Sequence, residues 1–201
     1  MFQSSSGLVL GYHGCERAIG ENILSGQTHL EPSRNEYDWL GNGRYFWEGD
    51  PQRAEEFAIE KRLKEPFVIG AVFDLGFCLN LANRQNIAVL KNAYDQLVTA
   101  CVTRHGPLPK NKTGKKKSDD YKLRFLDCAV IEMIHTIREE SNRKPYDSVR
   151  GIFWEGPDVY PGAGFRTHNH VQICVRNPNC IKGYFRPLTE DPAFEKPEEV
   201  D

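Results

Sequence analysis

Apolar residues in this chain fall into short, separated blocks, and the spacing within each block assigns most of them. Leu8 to Tyr12 is an unbroken apolar run and predicts an inner strand. Cys15 to Leu24 follows as a short helix, with Ala18, Ile19 and Ile23 apolar and Gly26 as its stop. Gln27 to Asn42 is polar, has no period and contains Pro32. It predicts a long irregular connection, a kind usually kept for function. Arg44 to Trp47 predicts a second strand. Asp50-Pro51 opens a helix with an N-cap and a proline at the first helical position, and Ala54, Phe57, Ala58 and Leu63 form its inward face.

Phe67 to Asp74 predicts a buried strand that Gly76 to Leu81 extends or bends. Asn83 caps a long helix in which Ile87, Leu90, Tyr94, Leu97, Val98 and Cys101 recur at spacings of three and four. His105 to Asp120 breaks the pattern with Gly106, Pro107, Pro109, Gly114 and five lysines, Lys110, Lys112, Lys115, Lys116 and Lys117. It predicts a flexible basic loop inside an insertion. A further amphipathic helix carries Leu123, Leu126, Val130, Met133, Ile134 and Ile137, and Ser148 to Trp154, Val171 to Val175 and Ile181 to Phe185 predict three more strands. The fold class expected is α+β, with one domain over 1–187, a helical insertion over 76–147 and a flexible acidic tail over 188–201.

Composition narrows this only a little. The chain has 201 residues, 39% of them hydrophobic, which is enough to bury a sizeable core, and its net charge of −2 points to no partner. No apolar run approaches a membrane span or a signal h-region, so the expectation is a cytoplasmic protein without a membrane partner. The six cysteines are far apart and read as reduced, mostly buried thiols.

The residues that suggest chemistry are His13-Gly14-Cys15, at the end of the first strand, and Gly41-x-Gly43-x-Tyr45-Phe46, which runs into the second. Each alone is ordinary: His13 reads as a core histidine, and Tyr45-Phe46-Trp47 as core aromatics. Their ordered combination, with an inward Phe57 twelve residues after Tyr45, resembles the NAD-binding signature of the ADP-ribosyltransferase superfamily. The similarity is to the poly(ADP-ribose) polymerase and diphtheria-toxin branch, over Leu8 to Ala58 and Val149 to Phe185.

That resemblance implies a split, twisted β-sheet with flanking helices and NAD as co-substrate, without a metal. It implies that His13 contacts the adenosine-side ribose, that the Gly14 backbone holds the nicotinamide carboxamide, and that Tyr45 and Phe57 stack on the ring. Gly43 belongs to the same signature, and Cys15 stands where the branch often has Ser or Thr. The third motif departs from the pattern, because Gln172 occupies the position of the catalytic glutamate. An amide can accept a hydrogen bond from a ribose hydroxyl but carries no charge and cannot serve as a general base.

Glu155 is the spare carboxylate; its plainer reading is an exposed turn residue. His168 and His170 could assist an acceptor or simply face solvent. The function expected is mono-ADP-ribosyl transfer to a macromolecule, as a toxin-like or defence effector with an antitoxin or regulatory partner. The lysine loop tilts the acceptor toward RNA or DNA rather than protein. Alternatives are an inactive NAD-, ADP-ribose- or RNA-binding module, an NAD glycohydrolase, or an RNA 2′-phosphotransferase. A His13/Cys15 thiol nucleophile and a zinc site at His168, His170, Cys174 and Cys180 fit the spacing less well.

Overall fold

The computed structural model describes residues 7–114 and 120–188. Lys115, Lys116, Lys117 and nearly all of the expected acidic tail lie outside the described residues.

One mixed sheet of seven strands organises the molecule, in the order β4-β5-β6-β2-β1-β3-β7. The strands are β1 (Val9–Glu16), β2 (Arg44–Glu48), β3 (Pro66–Phe73), β4 (Cys78–Asn80), β5 (Ser148–Phe153), β6 (His170–Val175) and β7 (Ile181–Phe185). Neighbours are antiparallel except β4 and β5, which run parallel. The helices are α1 (Arg17–Leu24), α2 (Pro51–Glu60), α3 (Arg84–Thr103) and α4 (Phe125–Glu140). The α+β class expected from the pattern is the one found.

Period-two alternation along the strands divides the core into two clusters, one on each face of the sheet. Phe46, Ile69, Ala71, Phe73, Ile173 and Val175 pack on the first face, with Ile23 of α1. Leu79, Val149, Phe153 and Cys174 pack on the second, against Ala93 of α3 and Val130, Ile131 and Ile134 of α4. Tyr45 and Trp39 are half-buried against this second cluster.

Two element ends differ from the sequence reading. The first strand runs on through His13, Gly14 and Cys15 to Glu16, because β3 pairs with it along its whole length, from Val9↔Phe73 to Glu16↔Pro66. Tertiary pairing overrides the helical spacing there, and α1 begins only at Arg17. The Gly76 to Leu81 stretch does not extend β3. Gly76 takes a left-handed φ of 58°, and β4 then pairs with β5. The helical segment 76–147 therefore also contributes a strand to the main sheet.

Capping follows simple chemistry. Asp50 and Asn83 accept hydrogen bonds from Arg53 N and Gln85 N at the starts of α2 and α3. Arg124, at the N-cap of α4, makes no such bond. Asn111 serves instead from a distance, its Oδ1 accepting from Leu126 N and Asp127 N at 2.8 and 3.2 Å.

Candidate functional site

The strands that carry the three sequence motifs are adjacent, in the order β6-β2-β1. Between β1 and β2 only Gly11↔Glu48 and Tyr12↔Trp47 pair, and Gly49 N donates to Leu10 O at 3.0 Å just before them. In an antiparallel ladder alternate residues turn both polar groups to the same neighbour. Leu10 and Tyr12 turn theirs to β2, so Gly14 does as well, at a point where no β2 residue pairs with it. The sheet opens a gap beyond Tyr12 and Trp47.

His13 spans that gap. Its Nδ1 lies 2.8 Å from the carbonyl oxygen of Tyr45. A carbonyl only accepts, so Nδ1 carries the hydrogen and Nε2 the lone pair. Burial pushes the imidazole pKa below its ordinary value, so the ring is neutral at pH 7. His13 shares its face with Gly11 and Cys15, and its ring meets Phe46 edge-on at 6.1 Å.

The other candidates are divided between the faces. Tyr45 alternates with Phe46, and Trp47 pairs with Gln172, so Tyr45, Trp47 and Gln172 all project on the face opposite His13. Tyr45 is tied to the turn before it, its hydroxyl donating to Gly41 O at 2.6 Å and accepting from Leu40 N at 2.8 Å. Burial raises its phenol pKa well above the usual value. Phe57 is half-buried and packs on Trp47, with ring centroids 4.9 Å apart, rather than on Tyr45. Gln172 is half-buried beside Trp47 and Gly151.

Gly14 and Gly43 are required by close packing. A Cβ on Gly14 would fall on the carbonyl oxygen of Ala54, because α2 crosses β1 there. One on Gly43 would lie 2.5 Å from Cys174 Sγ and 2.9 Å from Val175 O. Cys15 is buried, and burial pushes its thiol up to about 11, which leaves it inert as a nucleophile. The six cysteines are free, and the described residues include no group of three or more His, Cys, Asp or Glu side chains placed to hold a metal.

Glu155 corrects its plainer reading. It is not an exposed turn residue, since only 2% of it is accessible. Three basic groups from different parts of the chain surround it. Arg53 of α2 reaches its carboxylate at 3.4 Å, Lys122 from the segment before α4 pairs with it, and His170 Nδ1 stands 3.7 Å away. Two charges so far from water are costly unless paired this closely. Desolvation lowers the Lys122 pKa. Asp120 braces the loop that follows, accepting from Gly156 N at 3.0 Å and pairing with Arg166 at 2.9 Å.

His170 is buried as well, and not surface-facing. Its Nδ1 lies 2.7 Å from His168 O, and its ring lies between Trp39 and Phe153 with centroids 5.9 and 5.6 Å away. Desolvation brings its pKa down to about 4. His170 Nε2, Trp47 Nε1 and Arg53 Nε are buried without a hydrogen-bond partner among the described residues.

Of the basic loop, Lys110 is exposed, and Lys112 pairs with Leu123 through two backbone bonds while its amine lies over the Phe125 ring. The sequence reading passed over Trp39, Arg53 and Lys122. Arg53 looks like a solvated residue in the first turn of a helix, and nothing local announces that a carboxylate from the far end of the chain will meet it.

A cavity of about 360 Å³ lies elsewhere, between α3, α4 and the sheet, with Trp39, Phe153, Arg124, Tyr94, Leu90 and Val130 among its walls. Arg124 stacks on Trp39 at 4.2 Å and faces Phe153 at 5.0 Å. His170 packs against the same two rings without lining the cavity.

No family model and no solved structure matches the chain. It is similar to an uncharacterized protein of Methanocaldococcus jannaschii, 26% identical over an alignment of 201 positions that covers 85% of this chain and 83% of that protein.

Proposed function

We propose that the chain binds NAD at the opening between β1 and β2 and transfers its ADP-ribose group to a macromolecular acceptor. The observation that carries the reading is the unpaired edge at Gly14, beside His13, with only β2 between it and the strand of Gln172. A backbone N–H and C=O that face a gap are matched to a primary carboxamide, which offers one acceptor and two donors. The neutral His13 leaves Nε2 as an acceptor for a ribose hydroxyl.

The chemistry asked of the residues is modest. Nicotinamide leaves as a neutral molecule and needs no acid, while positive charge develops on the ribose. Gln172 can accept a hydrogen bond from the 2′-hydroxyl through its amide oxygen and so orient the sugar. Tyr45, anchored through its hydroxyl to the 40–41 turn, fixes the strand that forms one side of the opening. In this reading it contributes rigidity as much as a stacking face.

A second reading is an NAD- or ADP-ribose-binding module without turnover, favoured by the neutral amide at position 172. Incubation with labelled NAD and cell lysate, followed by nuclease or protease digestion, separates the two. Nuclease-sensitive label means transfer to nucleic acid, and protease-sensitive label means transfer to protein. Nicotinamide release without label marks a hydrolase. NAD binding by calorimetry without any turnover establishes the module, and absence of binding overturns both readings.

A further inference from the structure

Transfer from NAD requires that the acceptor lose a proton, and Gln172 cannot take it. His170 lies two residues before it on the same strand and the same face, since Phe153↔His170 and Gly151↔Gln172 are successive same-face pairs with β5. Same-face neighbours on a strand are about 7 Å apart, which sets His170 beside a sugar held at Gln172. The tautomer of His170 is fixed. Nδ1–H donates to His168 O at 2.7 Å, which leaves the lone pair on Nε2, and that atom is buried with no partner among the described residues. The carboxylate of Glu155, 3.7 Å from Nδ1, faces the side of the ring on which positive charge would appear.

We infer that His170 is the general base for the acceptor, an assignment that rests on the NAD-transfer reading above. As the bond between the nicotinamide nitrogen and ribose C1′ breaks, its electron pair leaves with nicotinamide. The acceptor oxygen or nitrogen bonds C1′ and gives its proton to Nε2, which later passes it to water. The imidazolium so formed keeps its Nδ1–H bond to His168 and lies against Glu155. A weak base suffices, because a hydroxyl becomes strongly acidic once its oxygen bonds a cationic carbon.

The weakness of the base limits the acceptor class. Arg53 and Asp50 at the start of α2, Lys122 before α4, and Glu155 face His170, and Arg124 lies beyond Trp39 and Phe153. Arg53 and Lys122 disfavour protonation of the ring while Asp50 favours it. These cations are offset by Glu155, by Glu56 and Glu60 beside Arg53, and by Asp127 beside Arg124. A guanidinium or ammonium must shed a proton before it can attack, which a weak base does not achieve, and a carboxylate acceptor needs no base. The acceptor is therefore a neutral hydroxyl or ring N–H, a group found on both nucleosides and tyrosyl side chains.

The test uses the full chain, NAD, and three probes: thymidine, N-acetyltyrosinamide and the guanidine agmatine. Products are read by mass spectrometry and NAD affinity by calorimetry. His170→Gln is expected to lower transfer to the neutral probes at least ~100-fold while NAD affinity changes less than about twofold. Which neutral probe is modified tells a nucleoside acceptor from a tyrosyl one. If the Gln variant does not fold, His170→Asn, smaller in the same slot, carries the test. Transfer within threefold of the parent or preference for agmatine overturns the role of His170 alone, whereas NAD binding with neither transfer to a probe nor release of nicotinamide overturns the transfer reading with it. A parent that does not bind NAD overturns the transfer reading and this inference together.

Discussion

His13 Nδ1 stands 2.8 Å from the carbonyl oxygen of Tyr45, across the point where β1 and β2 cease to pair. A side chain here replaces a rung of the backbone ladder and holds two strands at a fixed separation. His13→Ala removes the rung and leaves a half-buried carbonyl unpaired, at a cost of about 1 kcal/mol in urea denaturation. NAD affinity should fall by tenfold or more in calorimetry. Unchanged NAD binding would show that the bridge is structural only.

Gly14 faces α2 at contact distance. Gly14→Ala sets a methyl group on the Ala54 carbonyl and forces the helix outward, away from Trp47 and Phe57. The expected loss is about 2–3 kcal/mol, read as a lower midpoint in thermal denaturation. A variant as stable as the parent would mean that α2 is free to shift.

Glu155 and Arg53 form a buried pair, and Lys122 covers it from the half-exposed side. Glu155→Gln leaves Arg53 only the more exposed Glu56 and Glu60, at 3.8 and 3.7 Å, and is expected to cost about 3 kcal/mol. Lys122→Met should cost far less, because Arg53 still satisfies the carboxylate. Combining Arg53→Met with Glu155→Gln should recover most of the loss, and a double-mutant cycle in urea measures the coupling. Equal losses in the Glu155 and Lys122 variants would contradict this ranking.

His135 is buried on α4 with neither ring nitrogen hydrogen-bonded among the described residues, and desolvation brings its pKa down to about 4 from 6.5. The unfolded chain therefore takes up a proton before the folded one. The contribution of His135 is full well above pH 6.5 and is lost as pH falls from there toward 4. At pH 5 this histidine alone accounts for about 2 kcal/mol, and His170, shifted in the same direction, adds to the loss. His135→Leu should be neutral or stabilising at pH 7 and should visibly flatten the stability curve between pH 7 and pH 5. An unaltered curve would mean that other groups govern acid sensitivity.

Most elements were legible because their signals are local. Asp50-Pro51 and Asn83 announced α2 and α3 through capping alone, and the separated apolar blocks gave the strands. The site was legible only in part. The motif strands were found, yet one strand carries side chains to both faces, and the pattern does not say which motif residues share a side. Placing His13 opposite Tyr45 took the β1–β2 register. The Glu155 cluster was hidden for another reason: its members come from α2, the segment before α4, the β5–β6 connection and β6, and a long-range ion pair leaves no periodic trace.

The strand order also bears on how the chain is made. β2 lies between β1, synthesised before it, and β6, which spans residues 170–175. Until that late segment leaves the ribosome, the aromatic run Tyr45-Phe46-Trp47 has one bare edge and nothing of its own to cover it. A nascent chain halted before residue 170 exposes a hydrophobic strand edge of the kind that other chains extend. Ribosome-bound intermediates of that length should be the most chaperone-dependent and aggregation-prone stage in the production of this protein, and completion of β6 should end that dependence.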